Sequence, residues 1–356
     1  MRLSPFCKLA AVAGCAAILS FAATGTMPMG KAELKSAGAL AFAPDGILLV
    51  GDSVGASILA LDVNDRTPAA PGGSLEIKGV VDKLAAMLGT SADQIAIQDV
   101  VVNPISRNVY ISVSRGKGPD AVPVILRADH SGKLTEVSLD NIGHRQVALA
   151  DGPQDPKQRM ETITQLKYVD GQVLVAGLSN EEFSSNLRSI PFPFQTAAKG
   201  SGIEIWHGSH GRFETNAPVR TFVPFEIDHK MNILAAYTCT PLVKIPMSEL
   251  KPGSKVKGTT IAELGNRNKP LDMIVYTKGG KHYILMANSS RGVMKLTADN
   301  LETYQPITKQ TEVTGVPYET IADLKGVMHL DKYDDSKALV LMGEGASLDL
   351  RTIPLP

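Results

Sequence analysis

Four side chains with oxygen donors stand next to apolar stretches of the sequence: Asp99, Glu161, Asn180 and Asp272. Carboxylate and amide oxygens are the ligands that a hard cation such as calcium takes, and carboxylates also bind zinc. A metal held there could polarise a carbonyl group while one carboxylate moved a proton, which is metal-assisted hydrolysis. Alternatively, these side chains only hydrogen-bond neighbouring backbone groups.

Three cations occur at similar places, Arg115, Arg291 and Lys325. Guanidinium and ammonium groups bind carboxylates and other anions. If these cations lie beside the acids, they either recognise an anionic ligand or balance the negative charge.

Cys239 lies in residues 237–241, Tyr-Thr-Cys-Thr-Pro. A lone thiol can be a soft-metal ligand, a nucleophile or a redox site, and free cysteines are also often simply buried. Met273, Met286 and Met294 could assist a copper ion, although strand methionines are usually core residues. His207 and His210 are interpreted as part of a surface turn.

An internal repeat must position these residues. Six copies of one pattern recur, each with an apolar strand, a turn rich in Asp, Gly, Asn or Lys, a β-branched strand and a further strand. Six copies of this strand and turn pattern predict an all-β, six-bladed β-propeller. We expect one domain over residues 23–356, with blades starting near residues 38, 98, 162, 220, 270 and 326. The number becomes seven if a helical segment hides a degenerate repeat.

That helical segment covers residues 81–88 and predicts a short insertion between blades one and two. Residues 75–77 are expected to form the outer strand of blade one, and residues 31–35 to close the ring as the outer strand of blade six. Blade three contains an apparent insertion over residues 179–200, with Asn180, Glu181 and Arg188. Its apolar run at residues 190–194 could be a lid, a partner ridge or packing over the channel.

Antiparallel order places the starts of the first strands and the loops between second and third strands on one face. We name it the channel-mouth face. The candidate ligand or partner residues expected on it are Asp52, Asp99, Arg115, Glu161, Asn180, Glu181, Arg188, Cys239, Asp272, Asn288, Arg291 and Lys325. The metal candidates among them are Asp99, Glu161, Asn180 and Asp272.

The repeat resembles the NHL and YVTN-type propellers. The resemblance is carried by residues 42–46, Phe-Ala-Pro-Asp-Gly, followed by residues 49–53, Leu-Val-Gly-Asp-Ser. It implies the fold only, because that superfamily includes lactonases, lyases and binding scaffolds.

Composition excludes several classes of protein. The chain has 36 basic and 36 acidic side chains, so it has no excess charge for binding nucleic acid. It lacks a haem c motif, a glycine-rich nucleotide loop and a Gly-x-Ser-x-Gly elbow. The single tryptophan argues against a quinone stacked between aromatic rings.

Residues 1–22 have the features of a secretory signal peptide, namely Arg2, Lys8 and an apolar stretch over residues 9–21. We therefore expect a periplasmic or secreted protein without a transmembrane span. A lipoprotein box at residues 12–15, which would anchor the chain through Cys15, is the alternative. The sequence does not set the oligomeric state.

Three functional hypotheses remain. The first is binding of a small ligand or an exported protein partner through the channel-mouth face, with residues 179–200 as the contact. The second is a hydrolase or lactonase assisted by calcium or zinc on the same face. The third is a redox or copper site at Cys239.

Overall fold

The computed structural model describes residues 27–196, 199–345 and 347–356. Its strands are short apolar runs bounded by turns. In Ile47–Asp52 every residue is buried, because blades pack against both faces of the sheet. The preceding turn is made by Asp45 and Gly46, whose φ angles of 59° and 69° are left-handed. The alternation of buried strand and tight turn produces antiparallel sheets.

The structure confirms six blades. Blade one contains Leu40–Ala43, Ile47–Asp52, Ser57–Asp62, Ile142–Ala148 and the edge strand Met29–Gly30. Blade two contains Ile95–Val102, Val109–Arg115, Val122–Ala128 and Leu134–Glu136. Blade three contains Gln165–Val169, Gln172–Leu178, Ser185–Pro191, Ser201–His207 and Arg212–Glu214, with Lys255–Lys257 paired beside it.

Blade four contains Thr221–Ile227, Lys230–Ala236, Pro241–Pro246, Thr259–Leu264 and Val313–Gly315. Blade five contains Pro270–Lys278, Lys281–Asn288, Gly292–Thr297 and Tyr318–Ile321. Blade six contains Val327–Lys332, Lys337–Glu344, Ser347–Pro354 and Glu76–Ile77.

The helical insertion between blades one and two is also confirmed. It is the helix Val80–Met87, which buries Val80, Val81, Leu84 and Ala85. The other helices are Pro156–Arg159 and the 3-10 turns Pro44–Gly46, Ala92–Gln94, Gly118–Asp120, Met247–Glu249 and Leu301–Thr303. Within the described part of the chain, no helix has the length and apolar character needed to cross a membrane.

The blades do not follow one another around the ring in chain order. Six apolar clusters fill the spaces between blades, and each joins one pair of neighbours: one with two, one with three, three with four, four with five, five with six, and six with two. Blade two therefore stands between blades one and six. After completing blade two, the chain returns to blade one and adds Ile142–Ala148 as its fourth strand.

Polar side chains on the first strands support this order. Gln165 accepts a hydrogen bond from the backbone N–H of Phe222, Asp272 from Leu330, Asp331 from Val102, and Asp99 from Leu40. Each bond joins one blade to the next in the same direction around the ring. Burial of these polar groups is thus compensated by backbone donors from the neighbouring blade.

The expected closure of the ring was wrong. Residues 31–35 do not form a strand, and Met29–Gly30 pairs with the fourth strand of blade one. The outer strand of blade six is Glu76–Ile77, which pairs with Ser347–Pro354. Residues 75–77 were expected in blade one. They instead belong to the segment of chain between blades one and two, and they close the ring by pairing with blade six.

The insertion expected in blade three was also misassigned. Residues 179–200 contain Ser185–Pro191, which is the third strand of that blade, and Ser201–His207 is its fourth strand. Ile190 and Phe194 are buried in the cluster between blades one and three. The apolar side chains of residues 190–194 therefore pack on the core rather than forming a lid or a ridge, while Pro191 and Pro193 between them are exposed.

The signal peptide over residues 1–22, with Cys7 and Cys15, lies outside the described residues. The export and lipoprotein alternatives remain predictions.

Candidate functional site

A cavity of about 500 Å³ opens at the mouth of the central channel. All six blades contribute to it from their first strands or the residues just before, and Ser53 and Ser114 add residues at the ends of the second strands of blades one and two. The lining comes from residues 36–39, 53, 98–99, 114, 160–161, 163–165, 220, 269–272 and 328–329. Its size is typical of pockets for small ligands, which measure about 300–1,000 Å³.

Three side chains form the floor of this cavity: Asp99 of blade two, His329 of blade six and Asp272 of blade five. One donor atom from each lies within 4.8 Å of the others. His329 Nδ1 is 3.1 Å from Asp272 Oδ2 and 3.6 Å from Asp99 Oδ1. These three blades are neighbours in the ring, so the cluster follows from the blade order.

A β-bulge precedes each of the three residues. The pairing of first and second strands shifts by one residue between Ile97 and Asp99, between Pro270 and Asp272, and between Val327 and His329. A bulge redirects the side chain that follows it, and bulges are frequent next to active sites. The same distortion at the same repeat position therefore presents three ionisable groups together.

Burial and the neighbouring Asp272 carboxylate raise the pKa of Asp99 to about 7. Burial opposes the charged form of His329, but the hydrogen bond and charge of Asp272, together with Asp99, raise its pKa. The floor of the cavity therefore holds a carboxyl group that exchanges a proton near neutral pH, beside an imidazole. Such groups are suited to general acid–base chemistry or to hydrogen bonding with a polar ligand.

The wall of the cavity carries a second set of charges. Glu161 forms an ion pair with Arg220 Nη1 at 2.6 Å, and Lys269 lies beside them. Burial and the nearby Arg220 lower the pKa of Lys269. The cavity thus has two carboxyl groups and an imidazole on its floor, and an ion pair with a further ammonium group on its wall.

Three candidate residues have structural roles outside the cavity. The Asp52 carboxylate accepts hydrogen bonds from the backbone N–H groups of Lys35, Ser36 and Gly55. Arg188 is 1% exposed and pairs with Asp151 at 2.9 Å. Asn288 is buried and accepts a hydrogen bond from Asn268.

Five others also lie outside the lining. Arg115 Nη1 donates to the carbonyl oxygen of Leu88, and Arg291 Nη2 donates to that of Asn266. Asn180 is exposed, and Glu181 pairs with Lys199 at the surface. Lys325 is exposed. Of the four metal candidates, the structure brings Asp99 and Asp272 together, while Glu161 lies on the wall and Asn180 lies elsewhere.

Cys239 is half-buried and has histidine neighbours that are distant in sequence. One donor atom from each of His207, His210 and Cys239 lies within 4.8 Å of the others. The interpretation of His207 as part of a surface turn was wrong, because it is 2% exposed. Ser201–His207 is the fourth strand of blade three, and a fourth strand runs back towards the channel-mouth face. His207, at the end of that strand, therefore lies on the same face as Cys239.

Sequence reasoning missed His329. Its repeat position was the available signal, because His329 follows a bulge in blade six where Asp99 and Asp272 follow bulges in their own blades. An alignment of the first strands of blades two, five and six would have placed His329 in the same column as Asp99 and Asp272, and His329 would then have joined the candidate site residues.

No protein family and no curated protein matches this sequence. Among solved structures, the chain is similar to the PQQ-bound form of aldose sugar dehydrogenase from Streptomyces coelicolor, with 12% identity over 92% of this chain and 96% of that chain and a TM-score of 0.35. Streptogramin B lyase gives 11% identity over 92% and 97% of the two chains, with a TM-score of 0.31. The WD40 propeller domain of Doa1 gives 8% identity over 93% and 97%, with a TM-score of 0.31. These similarities are too distant to support any statement about function, and the resemblance to NHL and YVTN-type repeats stays an expectation.

Proposed function

We propose that the protein binds a small polar ligand in the cavity at the channel mouth. The observation that supports this most is the triple bulge, which presents Asp99, Asp272 and His329 to one cavity. The hydrogen bonds from Leu40 and Leu330 compensate the burial of Asp99 and Asp272, so folding accounts for the two carboxyl groups at the joints between blades. Folding does not account for the bulges, because Gln165 makes the same kind of inter-blade bond from a strand whose pairing shows no register shift. The bulges are therefore better explained by a ligand than by folding.

The charges of the cavity indicate the chemistry of that ligand. Asp99 can donate or accept a proton near neutral pH, whereas Arg220 and Lys269 donate hydrogen bonds from the wall. A molecule with several hydroxyl or carbonyl groups would satisfy both sets. A protein partner bound through residues 190–194 is disfavoured, because Ile190 and Phe194 are core residues.

The second candidate function is metal-assisted hydrolysis in the same cavity. It is favoured by the convergence of two carboxylates and one imidazole within 4.8 Å. An imidazole ligand suits zinc better than calcium, which prefers oxygen donors. A zinc ion bound there would polarise a substrate carbonyl, and Asp99 is the group placed to take up a proton.

The two candidates differ in their need for metal. We would first remove metal from the purified protein by dialysis against a chelator. Thermal unfolding and calorimetry would then be measured with a panel of monosaccharides, hydroxy acids and lactones, with and without ZnCl2 or CaCl2. Release of product from the lactones would be followed in the same samples.

For the binding function, we expect at least one compound to bind without added metal. Asp272→Asn and His329→Gln should weaken its binding at least about tenfold, which is about 1.4 kcal/mol. Asp170→Asn, an exposed residue in the turn after Gln165–Val169, is the matched control and should bind normally. Equal binding by all variants, or no binding across the panel, would refute the proposal. Lactone hydrolysis that requires zinc and is lost in both cavity variants would instead establish the second candidate.

A further inference from the structure

A second cluster of chemically active side chains lies on the channel-mouth face, outside the cavity. His207 ends the fourth strand of blade three, His210 belongs to the turn that follows, and Cys239 lies in the turn between Lys230–Ala236 and Pro241–Pro246 of blade four. Thr238, next to Cys239, accepts a hydrogen bond from Arg220, which lines the cavity. The cluster is therefore close to the channel mouth but has its own donor atoms.

Both imidazole rings are held by one carboxylate. Glu214 accepts from His207 Nδ1 at 2.7 Å and from His210 Nδ1 at 2.8 Å. Histidines that bind metals usually donate their second ring nitrogen to a carboxylate in this way, which fixes the ring and leaves Nε2 as the ligand atom.

His207 shows that the arrangement is incomplete without a further group. Its Nε2 is buried and has no hydrogen-bond partner within the described residues. A buried polar atom without a partner costs about 1–3 kcal/mol, so native proteins rarely leave one unsatisfied.

The backbone fixes the two turns that carry the ligand atoms. Cys239 donates its N–H to the carbonyl oxygen of Asn268 at 2.7 Å and has a left-handed φ of 64°. The N–H of Gly208 donates to the buried carboxyl group of Glu263. A side chain on Gly208 would collide with Glu263, so the turn between the two histidines approaches blade four as closely as glycine allows.

We propose that His207, His210 and Cys239 bind a zinc or copper ion. Two imidazoles and one thiolate suit these borderline and soft ions and do not suit calcium or magnesium. Bonds of about 2.0–2.3 Å place the ligand atoms of a tetrahedral ion about 3.3–3.8 Å apart. The donor atoms lie within 4.8 Å of one another, and the two imidazole rings lie against each other with centroids 3.9 Å apart, so metal binding requires the rings to turn apart. As the metal–sulfur bond forms, the thiol proton of Cys239 is released to solvent.

The exposure of His210 leaves one side of the ion open. A site with three protein ligands and a free position can take up a water molecule or a substrate atom, unlike a closed structural site. This site is independent of the ligand cavity, so neither proposal depends on the other.

The test uses the full chain after removal of metal, titrated with ZnCl2, CuCl2 and CoCl2. We expect one equivalent of Zn²⁺ or Cu²⁺ to bind with a dissociation constant below about 1 μM. Bound Co²⁺ should show a thiolate-to-cobalt absorption band. Cys239→Ser should abolish this band, and because Cys7 and Cys15 remain in both chains, the difference isolates Cys239.

Three further variants distinguish the residues that bind the metal from residues that only support the fold. His210→Ala removes an exposed ligand without disturbing the core and should weaken zinc or copper binding at least about tenfold. Glu214→Gln should weaken it about 10–100-fold, because the carboxylate only orients the rings. His229→Ala is the control, since its side chain is 96% exposed in a hairpin turn, and should bind as wild type. Absence of stoichiometric binding, or equal binding by the Cys239, His210 and His229 variants, would overturn the proposal.

Discussion

Asp99, Asp272 and His329 share one position in three repeats, and their proximity changes the properties of each. Two buried carboxylates cannot both remain charged at low cost, so Asp99 retains its proton to about pH 7. His329 stands between them and compensates the charge of Asp272 through the 3.1 Å contact. The stability of the folded protein should therefore depend on pH in a range where isolated aspartates do not titrate.

The first prediction concerns this pH dependence. An aspartate in an unfolded chain has a pKa of about 3.9, so between about pH 4 and pH 7 the folded chain holds a proton on Asp99 that the unfolded chain has lost. The free energy of unfolding consequently falls as the pH rises through this range. The raised pKa of His329 acts in the same direction, because its contribution is present at low pH and is lost as pH rises through the folded pKa.

Asp99→Asn should reduce this dependence. The amide cannot ionise, but its oxygen can still accept the hydrogen bond from the N–H of Leu40. One unit of pKa corresponds to about 1.4 kcal/mol, and the folded chain keeps the Asp99 proton over about two pH units above pH 5. Between pH 5 and pH 8 we therefore expect the free energy of unfolding of the variant to rise by about 2–3 kcal/mol relative to that of wild type. Urea denaturation at several pH values measures this, with Asp170→Asn as the control. Parallel curves for wild type and Asp99→Asn would contradict the prediction.

The sequence could identify Asp99 and Asp272 but not their partner. Both aspartates stand out as oxygen donors next to apolar stretches. His329 is surrounded by Met328 and Leu330 and resembles an ordinary core histidine until its register is known. Glu161 was selected for the same reason as the aspartates, but Arg220 is available to pair with it only after folding.

Ser185–Pro191 in blade three shows why one strand escaped recognition. Its central residues include Ser, Asn and Arg188, so it lacks the apolar run that marks the other strands. Arg188 is nevertheless buried, because Asp151 and the carbonyl oxygens of Thr162 and Leu178 satisfy its guanidinium group. A buried ion pair of this kind makes a core strand resemble a polar loop.

The second prediction is that Arg188 belongs to the core. Arg188→Ala leaves the Asp151 carboxylate buried without its partner, and breaking a buried pair typically costs about 3–5 kcal/mol. We expect a loss of this size in the free energy of unfolding, measured by urea denaturation. Lys199→Ala removes an exposed ion pair from the same segment and should cost less than about 1 kcal/mol. A small loss for Arg188→Ala would mean that the segment is peripheral after all.

The molecule as a whole owes its cavity to the order of its blades. The sequence was sufficient to predict the number of blades, because the signals for strands and turns are local. The order around the ring depends instead on which apolar faces pack together, and sequence adjacency suggested that blade two would contact blade three. In that order blade two, which carries Asp99, would have stood between blades one and three and would not have contacted blade six. Only the observed position of blade two, beside blade six, brings Asp99 to His329 and Asp272.

The last prediction tests this ring order through its closure. Glu76 and Arg351 lie directly opposite each other on antiparallel strands, where Cα atoms are about 4.5–5.5 Å apart, a spacing of about the size that a disulfide spans. In a chain in which Cys7, Cys15 and Cys239 are replaced by Ser, Glu76→Cys with Arg351→Cys should therefore form a disulfide on mild oxidation. Mass spectrometry of a digest would identify the linked peptides.

Glu33→Cys with Arg351→Cys probes closure by the segment around residues 31–35. Linkage of that second pair in place of the first would show that the amino-terminal segment closes the ring, and blade two would then not need to stand beside blade six.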